Sequence, residues 1–326
     1  MSNDGMAINQ HYVPQFLLRN FSFGKKDYLW CFDKKTGRKF QTGVRNVAAE
    51  RGFYNFDGDA GAGSLEPYMG RIEDLSAPLI KRIVRERSIK DVSDQERRVL
   101  SAFFAAQFLR TNAQREMIED SISQFKRRLL AMGVADEDLV RGGMGEPEKL
   151  AKKISLQNLL EINEYAPYFY GRDWHLSVAP KTGGVYIGDN PVVLHNSTPA
   201  DGPWGNLGLA LSGVELYISL SDELILSMWC PSILERFRLA QAKSLSLTEL
   251  EKVRHKEKIA LNSKRLEDLT VAKLVRLEEE NVTHHNYLQV MYAERYIYSS
   301  KDNFDLVERI INSHPRARQG MRTKVS

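Results

Sequence analysis

From residue 99 to 109 the chain reads Val-Leu-Ser-Ala-Phe-Phe-Ala-Ala-Gln-Phe-Leu, apolar almost all the way round a helical wheel. A surface helix carries one apolar stripe, whereas a helix apolar on every side must be enclosed by other elements. The segment opens at Ser93 with Glu96 three positions on, a capping-box spacing, and the pattern predicts a helix running to about residue 120. A chain of 326 residues is long enough to build the layers that such a helix needs around it.

Those layers are legible on both sides. In 65–85, Leu65, Met69, Ile72, Leu75, Leu79 and Ile83 fall on one helical stripe. Upstream, aromatics alternate over 27–32, Lys34-Lys35-Thr36-Gly37 supplies a turn and 38–42 returns, which predicts a hairpin. Residues 121–165 read as further helices, broken by a loop over 142–145. The β-branched and aromatic runs at 174–178, 185–187, 214–219 and 223–229 predict strands of one antiparallel sheet shared with the hairpin. From Pro231 the pattern is helical again, with Ser246 and Glu249 as capping candidates, then a strand over 295–298 and a helix over 305–312. Strands at both ends of the chain flanking helices predict one α+β domain over 1–313, helix-rich around a small, mostly antiparallel sheet. After Glu308 come Arg309, Arg316, Arg318, Arg322 and Lys324 with no acid, more charge than the whole net excess of +4. This predicts a basic, frayed tail over 314–326, with contact to nucleic acid or an acidic partner as the other reading.

Composition excludes several classes. Apolar residues at 42% and charged residues at 27% are ordinary globular usage. No run approaches the roughly 18 apolar residues of a spanning helix, and 1–10 is polar with no apolar leader core. Cys31 and Cys230 form no Cys-x-x-Cys pair, which excludes a zinc ribbon, and their apolar settings suit free thiols in a reducing compartment. A cytoplasmic protein without membrane contact is the expectation. The glycine-rich stretch at 57–64 lacks both the phosphate-loop lysine and the calcium-loop glutamate, and reads as a connector.

The chemistry must therefore come from polar residues set among apolar ones. His11 lies on an extended segment stiffened by Pro14, placed either as a base or ligand or as a pin for the N-terminal segment. Glu66 and Glu73 are about 10 Å apart on one helix face, too far for both to grip one ion. Glu66, followed by Pro67, suits the helix start, and Glu73 is the better ligand candidate. Gln107, Arg110 and Thr111 form a polar stripe on the apolar helix. Arg110 must meet a carboxylate, a ligand anion or solvent, with Glu50, Glu73 and Asp189 as the available acids. Asp189-Asn190-Pro191 ends a strand, where an acid can hold a divalent cation or simply shape a turn. Asn286 follows His284-His285 and reads as a cap or an inward polar anchor.

Several segments together resemble a bacterial family, domain-of-unknown-function family 4238. They are His11-Tyr-Val-Pro-Gln-Phe-Leu-Leu-Arg-Asn-Phe21, Val47-Ala-Ala-Glu-Arg-Gly-Phe-Tyr54, Glu66 and Glu73, and Gln107-Phe-Leu-Arg-Thr111. Gly188-Asp-Asn-Pro-Val-Val193, Asn286 and Ala293-Glu-Arg-Tyr-Ile-Tyr298 continue the likeness over nearly the whole chain. The resemblance implies a single domain and adds weight to these positions, and it implies no activity.

The leading expectation is a metal-dependent phosphodiester hydrolase acting on nucleic acid or a nucleotide. His11 and Arg110 would be catalytic. Glu50, Glu73 and Asp189 would hold Mg²⁺ or Mn²⁺, and Gln107, Thr111, Asn190 and Asn286 would bind the ligand. The alternatives are a sensor capturing an anionic small molecule without turnover, and an interaction protein whose polar residues form a structural network.

Overall fold

The computed structural model describes residues 9–56, 63–181, 184–198, 206–270 and 274–322. The chain begins with strand β1 (Asn9–His11) and one helical turn α1 (Gln15–Leu18) started by Pro14. The hairpin β2 (Tyr28–Asp33) and β3 (Arg38–Gly43) follows, turning at Gly37, whose φ of +75° needs a glycine. A short strand β4 (Ala49–Arg51) then returns to pair antiparallel with β1.

The helical half comes next: α2 (Glu66–Glu86), α3 (Asp94–Leu109), α4 (Asn112–Ala131), α5 (Asp136–Leu139), α6 (Pro147–Leu160) and α7 (Ile162–Tyr170). The Ser93–Glu96 capping box is formed, and α3 buries Leu100, Phe103, Phe104, Ala105, Ala106 and Leu109, as its all-round apolar pattern requires. The predicted continuation to residue 120 does not occur, because α3 stops at Leu109. Thr111 takes an extended backbone and its hydroxyl accepts from the Gln114 amide, so the chain restarts as a second helix.

Four strands follow, β5 (Asp173–Val178), β6 (Ile187–Gly188), β7 (Val192–Asn196) and β8 (Val214–Ser219), and then β9 (Leu224–Trp229). Helices α8 (Pro231–Leu245), α9 (Glu249–Arg254) and α10 (Lys256–Thr270) lead to β10 (Val275–Arg276), α11 (Glu279–Tyr292), β11 (Tyr296–Ser299) and α12 (Asp305–Ser313). The box that starts α9 is Thr248 with Glu251, not Ser246 with Glu249.

The fold is α+β with mostly antiparallel pairing, but the strands do not form the one sheet expected. Five order as β10-β5-β9-β8-β7, four as β3-β2-β11-β6, and β1 pairs β4 alone. The division falls at Asn190-Pro191, between β6 in one sheet and β7 in the other. Proline has no N–H to continue a ladder, and it restricts the residue before it.

One face of the five-stranded sheet carries Leu176, Leu194, Leu216, Ile218, Leu226 and Met228 into the main core, which also takes Phe103 and Phe104 of α3 and Leu29 and Cys31 of β2. The opposite face of β2 and β11, with Phe32 and Ile297, packs on Val307, Ile310 and Ile311 of α12. The frayed tail expected from residue 314 is not what 314–322 show. Ala317 is buried, Arg318 donates to the Lys34 carbonyl at 2.9 Å, and Arg322 pairs with Glu294 at 2.8 Å. Arg318 and Arg322 find acceptors on the protein, while Arg316 stays exposed. Residues 323–326, with Lys324, and most of the glycine-rich connector lie outside the described residues.

Candidate functional site

Where β1 runs into α1 it meets the N-terminal half of α2, and between them lies an open cleft of about 350 Å³. Its lining includes His11, Gln15, Phe16, Arg19, Tyr54, Glu66, Gly70, Glu73, Asp74 and Ala77. Helical spacing explains the α2 wall: residues 66, 70, 73, 74 and 77 share one face. Gly70 stands between the two glutamates with nothing within 4 Å of where a Cβ would sit, so the wall is hollow there.

The β1 wall is held by its neighbours. Gln10, fully buried, accepts from the Tyr54 amide at 2.6 Å and donates to Asn55 Oδ1 at 3.1 Å and Ser64 Oγ at 3.3 Å. The Tyr54 hydroxyl donates to the His11 carbonyl at 2.9 Å. The His11 ring hydrogen-bonds the Arg45 backbone, which holds one ring nitrogen, while burial lowers its pKa and keeps it neutral. Its Nε2 is buried and, among the described residues, has no partner. On the facing helix Glu66 Oε2 is likewise buried and unpartnered, and burial together with the nearby Glu73 charge raises the Glu66 carboxyl. Two proton-exchanging groups thus line one cleft, a base made weaker and an acid made weaker, each lacking a protein partner at one buried atom.

Behind the cleft runs a chain of buried polar contacts. Arg110, 2% exposed, donates from Nη1 to Glu73 Oε1 at 2.5 Å and from Nε and Nη2 to Gln107 Oε1 at 3.0 and 2.8 Å. Gln107 Nε2 in turn donates to the Tyr12 carbonyl at 3.0 Å. The guanidinium is therefore turned into the protein, fixing Glu73. The expected anion clamp at Arg110 is replaced by an internal pairing, because a buried guanidinium takes the nearest carboxylate.

The remaining expected site residues lie elsewhere. Glu50 and His11 sit on opposite faces of the β1–β4 ribbon, since Glu50 pairs with Gln10 and side chains alternate. Glu50 bonds Arg115 at 3.1 Å in a separate hollow. Asp189 accepts the backbone amides of Glu294, Arg295 and Tyr296 at 2.7, 2.8 and 2.9 Å. Burial pushes its carboxyl up to about 6 against those bonds and the nearby Lys34 charge. Asn190 takes the Thr111 hydroxyl at 3.1 Å and donates to the Tyr292 carbonyl, and Asn286, mid-helix in α11, bridges the Tyr186 amide and the Gly184 carbonyl. These bonds fasten α11 and the segment after it to the chain around β6. Glu50, Glu73 and Asp189 do not share a site. Among the described residues no group of three or more His, Cys, Asp or Glu side chains is placed to hold a metal ion.

Of the expected residues, His11 and Glu73 line the cleft, with Gln107 and Arg110 behind them. Glu66, Tyr54, Arg19 and Gly70 join them. Glu66 reads in sequence as a helix-start acid, and Gly70 stands at i+4 between glutamates at i and i+7, a spacing that the reading of the sequence passes over. The fold and cleft define an α+β protein with a polar, open site between an N-terminal strand and a long helix. The family model described as "Protein of unknown function (DUF4238)" matches residues 9–303, and the chain belongs to that family. No curated protein and no solved structure matches the chain.

Proposed function

We propose that the cleft is the active site of a hydrolase acting on phosphodiester bonds of nucleic acid or a nucleotide. The observation that carries this reading is the pair of unpartnered buried atoms, His11 Nε2 and Glu66 Oε2, on one cleft with pKa values moved towards each other. An environment that lowers an imidazole and raises a carboxyl beside it suits the first to act as a base and the second as an acid. In the proposed reaction His11 Nε2 takes a proton from the attacking water as its oxygen bonds phosphorus. Glu66 gives its proton to the leaving oxygen as the P–O bond breaks. Glu73, oriented by Arg110, sets the charge of the wall between them.

A phosphate approaching Glu73 and Asp74 meets repulsion that Arg19 alone does not offset, since Arg110 is already engaged. This disfavours a sensor for a bare anion and favours Mg²⁺ or Mn²⁺ arriving with the phosphate, as magnesium often binds through one or two carboxylates plus substrate oxygens. Glu73 is the residue that would contact such an ion, which would supply charge neutralisation. No helix among the described residues is long and apolar enough to cross a membrane, and both cysteines are free, which supports a cytoplasmic setting.

The test is incubation of the purified protein with Mg²⁺ or Mn²⁺ and a panel of single- and double-stranded DNA, RNA and nucleotides. Turnover is expected, and is expected to vanish in His11→Ala and Glu66→Gln at unchanged melting temperature. No turnover across the panel, or turnover that survives in both variants, sinks the proposal.

A further inference from the structure

The cleft does not end at Arg19. Gln15 and Arg19 are also part of the lining of a second hollow of about 310 Å³, completed by Lys26, Asp27, Val44 and Arg45. Its charge is opposite in sign to that of the cleft, with three cations and one carboxylate. The single acid, Asp27, is already paired with Arg19 at 3.4 Å. Among the described residues no carboxylate pairs with Lys26 or Arg45, and both are exposed.

The three cations come from separate segments that the backbone ties together. Arg19 directly follows α1 and is steadied by Gln15, whose Oε1 accepts from its Nη2 at 2.9 Å. Lys26 lies in a tight turn closed by two bonds between Phe23 and Tyr28, at 2.7 and 3.1 Å. In that turn Gly24 and Asp27 take positive φ, 69° and 51°. The Asp27 carbonyl accepts the Val44 amide at 3.0 Å, which fastens the turn to the segment carrying Arg45. That same segment supplies the backbone bond to the His11 ring. The basic hollow and the acid–base cleft are therefore built on one frame, with Arg19 as their common wall.

A cationic hollow beside a site with two reactive groups is what a polyanionic chain requires. The phosphate that reacts enters the acidic end, and the next phosphates along the chain find their charge balanced next door. We infer that Arg19, Lys26 and Arg45 form a phosphate-binding subsite, and that the substrate is a single-stranded nucleic acid with at least one phosphate beyond the reacting one. Phe16, half-buried in the cleft wall beside Arg19, offers a ring on which a base can stack. This inference rests on the hydrolase reading for the reaction and on the hollow alone for the binding.

The experiment measures fluorescence anisotropy of a short labelled oligothymidylate on the His11→Ala protein over a series of salt concentrations. The comparison ligands are thymidine monophosphate and a polyphosphate of matched charge. Lys26→Ala and Arg45→Ala, each added to His11→Ala, are expected to weaken the oligonucleotide several-fold and to lower the log–log salt slope by about 0.7 per lost phosphate contact. An unchanged slope, an equal loss on the monophosphate, or polyphosphate binding as tightly as the oligonucleotide overturns the inference, even if the hydrolase is confirmed. Oligonucleotide binding with the expected slopes supports the subsite even if no turnover is found.

Discussion

Arg110 shows how a residue's chemistry is settled by what surrounds it. A guanidinium 2% exposed must be paired, and here Glu73 and Gln107 take its donors. Glu73→Ala is expected to strand that charge and cost about 3 kcal/mol, read as a lower urea midpoint. Glu66→Gln, at a side chain whose Oε2 has no partner among the described residues, is expected to leave the midpoint unchanged while removing turnover. The same two groups set a pH dependence. In the proposed reaction His11 acts as the neutral base and Glu66 as the protonated acid. The acid limb then falls below the ordinary imidazole value of 6.5, and the alkaline limb lies above the ordinary carboxyl value of 4.5. A kcat/KM profile with its maximum on the acid side of neutrality is expected. A maximum above pH 8 would contradict this pairing of roles.

At the scale of elements, α2 and the α3–α4 junction matter most. Gly70 lies inside α2, where glycine costs a helix about 1 kcal/mol relative to alanine. Its φ is not positive and nothing crowds its Cβ position, so Gly70→Ala is expected to raise stability by up to that amount. Gly70→Leu is expected to fill the cleft and block ligand without unfolding the chain, visible as normal melting with lost binding. At the junction, Thr111 both caps α4 and bonds Asn190 Oδ1. Thr111→Ala is expected to cost about 1–2 kcal/mol, in a thermal melt, from the lost cap and the stranded amide. The polar stripe of Gln107, Arg110 and Thr111 was legible in the sequence. That it divides, two residues serving the cleft and one fastening the sheets, depends on the helix breaking at Arg110, which periodicity alone does not show.

Over the whole molecule, histidines buried neutral predict acid lability. Burial lowers His175 to about 4 and His285 to about 3, and also lowers His11, His195 and His284. Ser219 bonds His285 Nε2 at 2.7 Å while itself donating to the Tyr186 carbonyl, so that ring nitrogen must carry the proton. The unfolded chain binds more protons than the folded one from 6.5 downwards, so stability is full above about pH 6.5 and declines as the pH falls towards 4. Asp189, raised to about 6, acts in the opposite sense by favouring the protonated folded form as pH falls from 6 to 3.8. Two strongly shifted histidines outweigh one carboxyl, and denaturant midpoints measured between pH 7 and 4 are expected to fall. A flat or rising series would refute the assignment of these rings as neutral.

What the order of residues alone determined is many of the local elements and the family. The capping box at Ser93, the all-round apolar run of α3 and the Lys34–Gly37 hairpin are decided by interactions a few residues long, and the structure carries each of them. The tertiary structure alone decided which polar residues meet. His11, Glu66 and Glu73 share a cleft because β1 docks against α2, and Glu50 falls on the other face because a strand alternates. Asp189 is consumed by three backbone amides more than a hundred positions away. A charge in a sequence is free to be a ligand, a base or a fastening; burial and the nearest donor select among these, and both are properties of the folded chain.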